Sequence, residues 1–242
     1  MAIAEQPVSA RPKVARIDLI LVVVIGLLIQ AGWAALVREP TYMDAYYYAT
    51  NGRRLAEGQG FSEQIVWQFL DDPDGLPAPS HTYWMPLPSI LAAIGYSIRD
   101  DFRGAQSLFW LLGGLLPLLA YAISWLLAGE RWQAWVAALF TAAGGFYAAF
   151  IVQPSTFAPY ALAGALCLLA AGLAPSRRGW WVVAGLAAGF AHLARADGLL
   201  LLLVALLMWL LNALRRRAEG GRQLRMSLVN LALLLAGYLL VM

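Results

Sequence analysis

Three groups of residues have the types and spacing for chemistry. The first lies in "TYMDAYYYATNGRRLAEGQG", residues 41–60, where a carboxylate, three consecutive tyrosines and an arginine pair follow a long apolar run. A carboxylate so placed can remove a proton from an acceptor hydroxyl. The guanidinium groups of Arg53 and Arg54 can grip phosphate oxygens in a fork. The second group is "HTYWMPLP", which offers His81, Tyr83 and Trp84. Its aromatic rings can stack on a flat apolar ligand face or anchor the loop at a membrane interface. The third is "HLARADG", where Arg195 follows His192 by three residues and precedes Asp197 by two. Arg195 can hold a phosphate or pair with Asp197 in a tight turn.

Each group also has a plain structural reading. Thr41 and Asp44 have the T-x-x-D spacing of a capping box, with Thr41 as N-cap, Asp44 at the third helical position and a helix running to about Glu57 before Gly58. On such a helix Asp44 and Tyr48 share a face. Asp44 is then either a cap or a base, and Tyr46, Tyr47 and Tyr48 either line a site or sit in an interfacial belt. In "IVQPSTFAPY" the side chains of Gln153, Ser155 and Thr156 can hydrogen-bond a ligand but supply no carboxylate. "DDPDG" fails as an EF-hand loop: with Gly75 at the required glycine, position 1 is Leu70 and position 12 is His81. His81 and His192 have no supporting ligand cluster, so no metal or other cofactor is expected. Cys167, the single cysteine, lies in an apolar run and reads as a buried thiol.

The elements that must carry these residues are apolar helices. Of 242 residues 61% are hydrophobic and 13% charged, with a mean hydropathy of +0.66; soluble domains carry about twice that charged share. Runs near the length needed to cross about 30 Å of hydrocarbon recur at 19–37, 104–128, 132–151, 157–174, 179–194, 199–214 and from 226 onward. Residues 86–98 are apolar but too short to cross and fit an interfacial or re-entrant helix. Strand-length alternation is absent, which argues against an outer-membrane barrel. The expected fold is therefore an all-α, polytopic bundle of about seven spans. It forms a single domain over 1–242, with a long first loop at 38–98.

Charge sets the orientation. With the N-terminus inside, eleven of the seventeen Lys and Arg fall on the cytoplasmic side: Arg11, Lys13, Arg16, Arg131, Arg177, Arg178, Arg215, Arg216, Arg217, Arg222 and Arg225. The six on the other side are Arg38, Arg53, Arg54, Arg99, Arg103 and Arg195. The net charge of +3 is thus spread between spans as topology determinants, which argues against nucleic acid as a partner. A competing reading makes residues 1–35 a cleaved signal peptide.

"MDAYYYATNGRRLAEGQGF" after a first span, then a proline-rich segment reaching "YWMPLPSIL", resembles the GT-C superfamily of membrane glycosyltransferases, in the branch of protein mannosyltransferases and aminoarabinose transferases. "GLAAGFAHLARADGLLLL" is similar to that family's small-residue span ending in Arg-x-Asp-Gly. The resemblance covers most of the chain in order. It implies an enzyme of the inner membrane that moves a sugar from a polyprenyl-phosphate donor to a lipid, glycan or protein acceptor outside the cytoplasm. Asp44 would be its base, with Arg195, Arg53 and Arg54 on the donor phosphate. Tyr48, His81, Tyr83, Trp84 and Gln153 would be the substrate contacts. The second acidic residue the family often carries is Ala45 here. Family members also have further spans and a soluble domain, so the resemblance implies a missing C-terminal half or a partner subunit. The alternatives are a noncatalytic membrane protein that binds or moves polyprenyl-linked sugars, and an inactive fragment or scaffold subunit.

Overall fold

A computed structural model describes residues 14–67, 73–217 and 222–242, without the side chains of 216, 217 and 222–224. The described chain is all-α apart from one pair of two-residue strands. Its helices are α1 (Arg16–Leu36), α2 (Met43–Ala56), α3 (Leu87–Ile98), α4 (Phe102–Ala128), α5 (Arg131–Ala143), α6 (Ala148–Ile151), α7 (Phe157–Leu173), α8 (Gly179–Ala194), α9 (Leu199–Arg217) and α10 (Arg222–Val241). The strands β1 (Ser62–Glu63) and β2 (Ala78–Pro79) pair antiparallel and close the base of the proline-rich loop. Arg11 and Lys13 lie outside the described residues.

Among the described residues, three helical stretches are long and apolar enough to cross a membrane: Arg16–Leu36, Phe102–Ala128 and Ala196–Arg215. Residues Arg131–Ala143 and Gly145–Ile151 form a fourth if their 42° bend is one broken span. The bend has a local cause: Gly144 and Gly145 adopt φ values of +66° and +51°, a region open to glycine without a steric penalty. α3, α7, α8 and the segment Arg225–Val241 are apolar but shorter.

Two packed groups carry the loop. In one, α1, α4 and α5 meet over Val22, Tyr121, Ala134 and Ala138. They are tied at one end by the buried Asp18, which accepts two bonds of 2.7 Å from Arg131 and one of 3.0 Å from the Tyr121 hydroxyl. In the other, α7 to α10 meet over Cys167, Trp181, Leu202, Leu234 and a set of buried alanines. Small residues let α8 and α10 touch backbone to backbone. A Cβ at Gly185 would overlap the Leu234 carbonyl oxygen, and one at Gly237 the Val182 carbonyl oxygen. The Cys167 thiol is buried and faces the Leu201 carbonyl.

α2 and α3 pack on each other, and α3 packs on α4, over Ala92, Tyr96, Ala105 and Phe109. The capping box expected from the sequence does not form. α2 starts at Met43 with Tyr42 as an N-cap that makes no side-chain bond, which puts Asp44 at the second helical residue. Thr41 is taken by Gln153, 112 residues away: its N–H donates to Gln153 Oε1 at 2.9 Å, and its hydroxyl accepts from Nε2 at 2.7 Å. The far end of α2 does stop as expected, at Ala56, with Gly58 at φ +76°. Tyr47 and Tyr48 are buried inside the loop, and only Tyr46 of the three faces outward.

Candidate functional site

Four helix ends converge beside the loop and enclose a cavity of about 440 Å³. The first two turns of α2 contribute Asp44 and Tyr48, and the approach to α3 contributes Tyr83, Trp84 and Met85. The N-cap of α7 contributes Thr156, and the end of α8 contributes Ala194 and Arg195, followed by Ala196 and Asp197. Three of these ends are helix N-termini, which carry unpaired N–H groups and partial positive charge.

Asp44 is half-buried, and its carboxylate has no hydrogen-bond partner among the described residues. Burial pushes its pKa up from the usual carboxylate range, and the positive charge of Arg195 pulls the other way. A carboxylate so placed is a stronger base than a solvated one. Tyr48 is buried beneath it; desolvation first, then the Asp44 charge, raises its phenol pKa and keeps it protonated.

Arg195 is held by its backbone. It ends α8 in an extended conformation with φ −152°, and its N–H still donates to Ala191. The guanidinium lies over the Tyr160 ring, 5.3 Å from the centroid. Its Nε and Nη2 each donate to Asp197 at 2.9 Å. Asp197 sits in the short 3₁₀ turn Ala196–Gly198 that leads into α9.

Behind the cavity an aromatic group fixes its wall. Tyr47 packs against Trp84 at 4.6 Å between centroids, and Trp84 meets Tyr83 edge-on at 5.1 Å. His81 clasps this loop from behind. Its N–H donates to the Tyr47 hydroxyl at 2.7 Å, while Nδ1 lies 2.8 Å from Ser80 Oγ and Nε2 3.0 Å from Ser89 Oγ. The Ser89 hydroxyl donates to the Tyr48 carbonyl, so it accepts from His81, which assigns the Nε2–H tautomer.

The structure therefore brings Asp44, Tyr48, Tyr83, Trp84 and Arg195 together around one cavity. The other sequence candidates lie elsewhere. Arg53 pairs with Asp100 at 3.4 Å and lies over the Tyr96 ring. Arg54 is spent on Ser62, donating to its carbonyl at 2.8 Å and to its hydroxyl at 2.9 Å. His81 and Gln153 do not line the cavity; both hold the elements that do. Thr156, named with Gln153 and Ser155 as able to bond a ligand, lines it too, and Met85 and Asp197 line it without having been singled out as contacts. For Asp197 the signal was already in the sequence, two residues after Arg195.

A second cavity, of about 400 Å³, is almost wholly apolar, with Leu87, Leu91, Leu112, Leu162, Leu166 and Phe190 in its wall. Its lining comes within a few residues of the first cavity's along three chain segments. Met85 gives way to Leu87, Thr156 to Pro159, and Ala194 to Phe190 one helical turn back. Among the described residues no cluster of three or more His, Cys, Asp or Glu could hold a metal ion. No known family, curated protein or solved structure matches this chain.

Proposed function

We propose that this chain is a membrane glycosyltransferase that takes a sugar from a polyprenyl-phosphate donor and transfers it to an acceptor hydroxyl outside the cytoplasm. The observation that carries this reading is the closeness of the two cavities' linings along three chain segments. A chamber lined by a carboxylate without a hydrogen-bond partner among the described residues and by a guanidinium lies within a few residues, along those segments, of an apolar groove between helices. An amphiphile with a charged head and an isoprenoid tail has that shape and polarity.

The chemistry follows from the chamber. Asp44 accepts the proton of the acceptor hydroxyl as its oxygen attacks the anomeric carbon. The bond between that carbon and the donor phosphate oxygen breaks, and its electron pair leaves with the polyprenyl phosphate. Arg195 and the helix N-termini oppose the charge that develops there. Tyr83 and Trp84 form an aromatic wall against which the sugar ring packs. Gln153 acts at a distance, fixing where α2 begins and hence where Asp44 points.

In the membrane frame that suits this reaction, the N-terminus is cytoplasmic and the chain crosses the inner membrane seven times. The long spans and the bent pair make four crossings, and α7, α8 and α10 complete the count. α7 and α8, at 17 and 16 residues, rise about 25 Å. That falls short of a full bilayer core but suits helices whose outer ends line a recessed site.

The test is transfer by the purified chain in nanodiscs, supplied with a panel of radiolabelled polyprenyl-phosphate sugars and simple glycan or lipid acceptors. Transfer or slow donor hydrolysis supports the enzyme. Absence of both turnover and donor binding across the panel would rule it out.

A further inference from the structure

We infer that Asp197 is a resident competitor for Arg195, holding the guanidinium edge that the donor phosphate would use and displaced from it on binding. The inference rests on the donor reading above and adds a residue and a role to it. The Asp197 carboxylate occupies the Nε and Nη2 edge of the guanidinium with two bonds of 2.9 Å. That is the edge a phosphate uses when an arginine grips it bidentately. The two side chains are 42% and 44% exposed, and exposed ion pairs are weakly held, so exchange of one oxyanion for another is easy.

The geometry also says which partner moves. Asp197 is carried on the Ala196–Gly198 turn, which is packed tightly against α8. A Cβ at Gly198 would overlap the Ala191 carbonyl and the His192 nitrogen, so its backbone lies flush on the last turn of α8. Arg195 has a long flexible stem and rests on the flat face of Tyr160 without a hydrogen bond to it. The guanidinium therefore swings to the phosphate while Asp197 stays. After transfer, Asp197 recaptures Arg195 and helps expel the lipid phosphate. The cavity wall, with Asp44 and Asp197 against one guanidinium, keeps a phosphate from binding too tightly for turnover.

The experiment measures binding of a polyprenyl phosphate and of the matching polyprenol by the full chain in nanodiscs. Unmodified protein, Asp197→Asn, Arg195→Gln and the double variant are compared. Asp197→Asn keeps size and removes the competing charge. It should tighten phosphate binding by about two- to fivefold, leave the alcohol unchanged, and lose part of the gain at high salt. In the Arg195→Gln background the Asp197 change should have no such effect. Unchanged or weaker phosphate binding by Asp197→Asn, with the unmodified protein still preferring phosphate to alcohol, would make Asp197 a support for Arg195. The donor reading would then stand and this inference would fall. Equal tightening for phosphate and alcohol would also overturn it. If the unmodified protein shows no preference for phosphate, both fall together.

Discussion

Acidification should open the loop behind the cavity, and His81 sets where on the pH scale this happens. The imidazole is enclosed by Tyr47 and Phe61, with ring centroids at 5.4 and 5.3 Å, and burial lowers its pKa to about 4 from 6.5. In the closed loop the ring is neutral, so between pH 6.5 and 4 the opened state binds more protons than the closed one. Loop stability is therefore complete above about pH 6.5, declines as pH falls, and reaches its floor near pH 4. A gap of about 2.5 pH units corresponds to about 3 kcal/mol, or about a 300-fold rise in the open fraction. Amide hydrogen exchange across residues 76–89 measures that opening directly. His81→Asn is the matched variant, because asparagine tolerates the φ of +62° found at His81 and does not titrate. The variant should lack most of the pH slope in this window. An equal slope in both proteins would assign the effect to other groups and refute the clasp.

Three further outcomes follow from the packing. Gln153→Ala removes both bonds to Thr41 and the one to the Ala149 carbonyl, so it should destabilise the start of α2 by about 1–3 kcal/mol. Hydrogen exchange at residues 42–46 would read this, with turnover falling because Asp44 is misplaced. Gly185→Leu forces α8 from α10 and should cost about 1–3 kcal/mol or more, measured by unfolding in mixed detergent micelles; an unchanged midpoint would show that these helices are not in contact. Leu162→Trp fills the apolar cavity and should weaken binding of a long-chain polyprenyl phosphate by about tenfold. A soluble sugar phosphate, which lacks the tail, should bind as before.

The helices were legible because their signal is local. Apolar runs and glycine stops placed α1, α4, α7 and α8 to within a few residues, and the apolar but short 86–98 segment is α3. What was not legible depended on distant partners. Nothing within residues 41–44 shows that Gln153, 112 residues further along the chain, takes the Thr41 groups a capping box would use. Likewise the sequence offers Arg53, Arg54 and Arg195 all as candidate cations for the phosphate, with Arg195 the sharper case at a span end. Only the fold spends the first two on Asp100 and Ser62 and turns the third to the cavity. His81 looked like a ligand residue because histidine is so often one. Its flanking serine and the distant Ser89 make it a clasp, a role set by a left-handed backbone that local pattern does not announce.

The central claim is that Asp44 is a base, and Asp44→Asn tests it most directly. The substitution keeps the shape of the side chain and removes its capacity to take a proton. Sugar transfer and donor binding would be measured side by side on unmodified and Asp44→Asn protein in nanodiscs, with the same radiolabelled polyprenyl-phosphate sugars. The account expects donor binding within about threefold of the unmodified protein and transfer reduced by about 10²–10⁴-fold, the usual contribution of a positioned acid or base. Equal transfer by both proteins would contradict it. Equal donor binding with no transfer by either would also contradict it, and would make the chain a binder of lipid-linked sugar in which Asp44 serves only the first turn of α2.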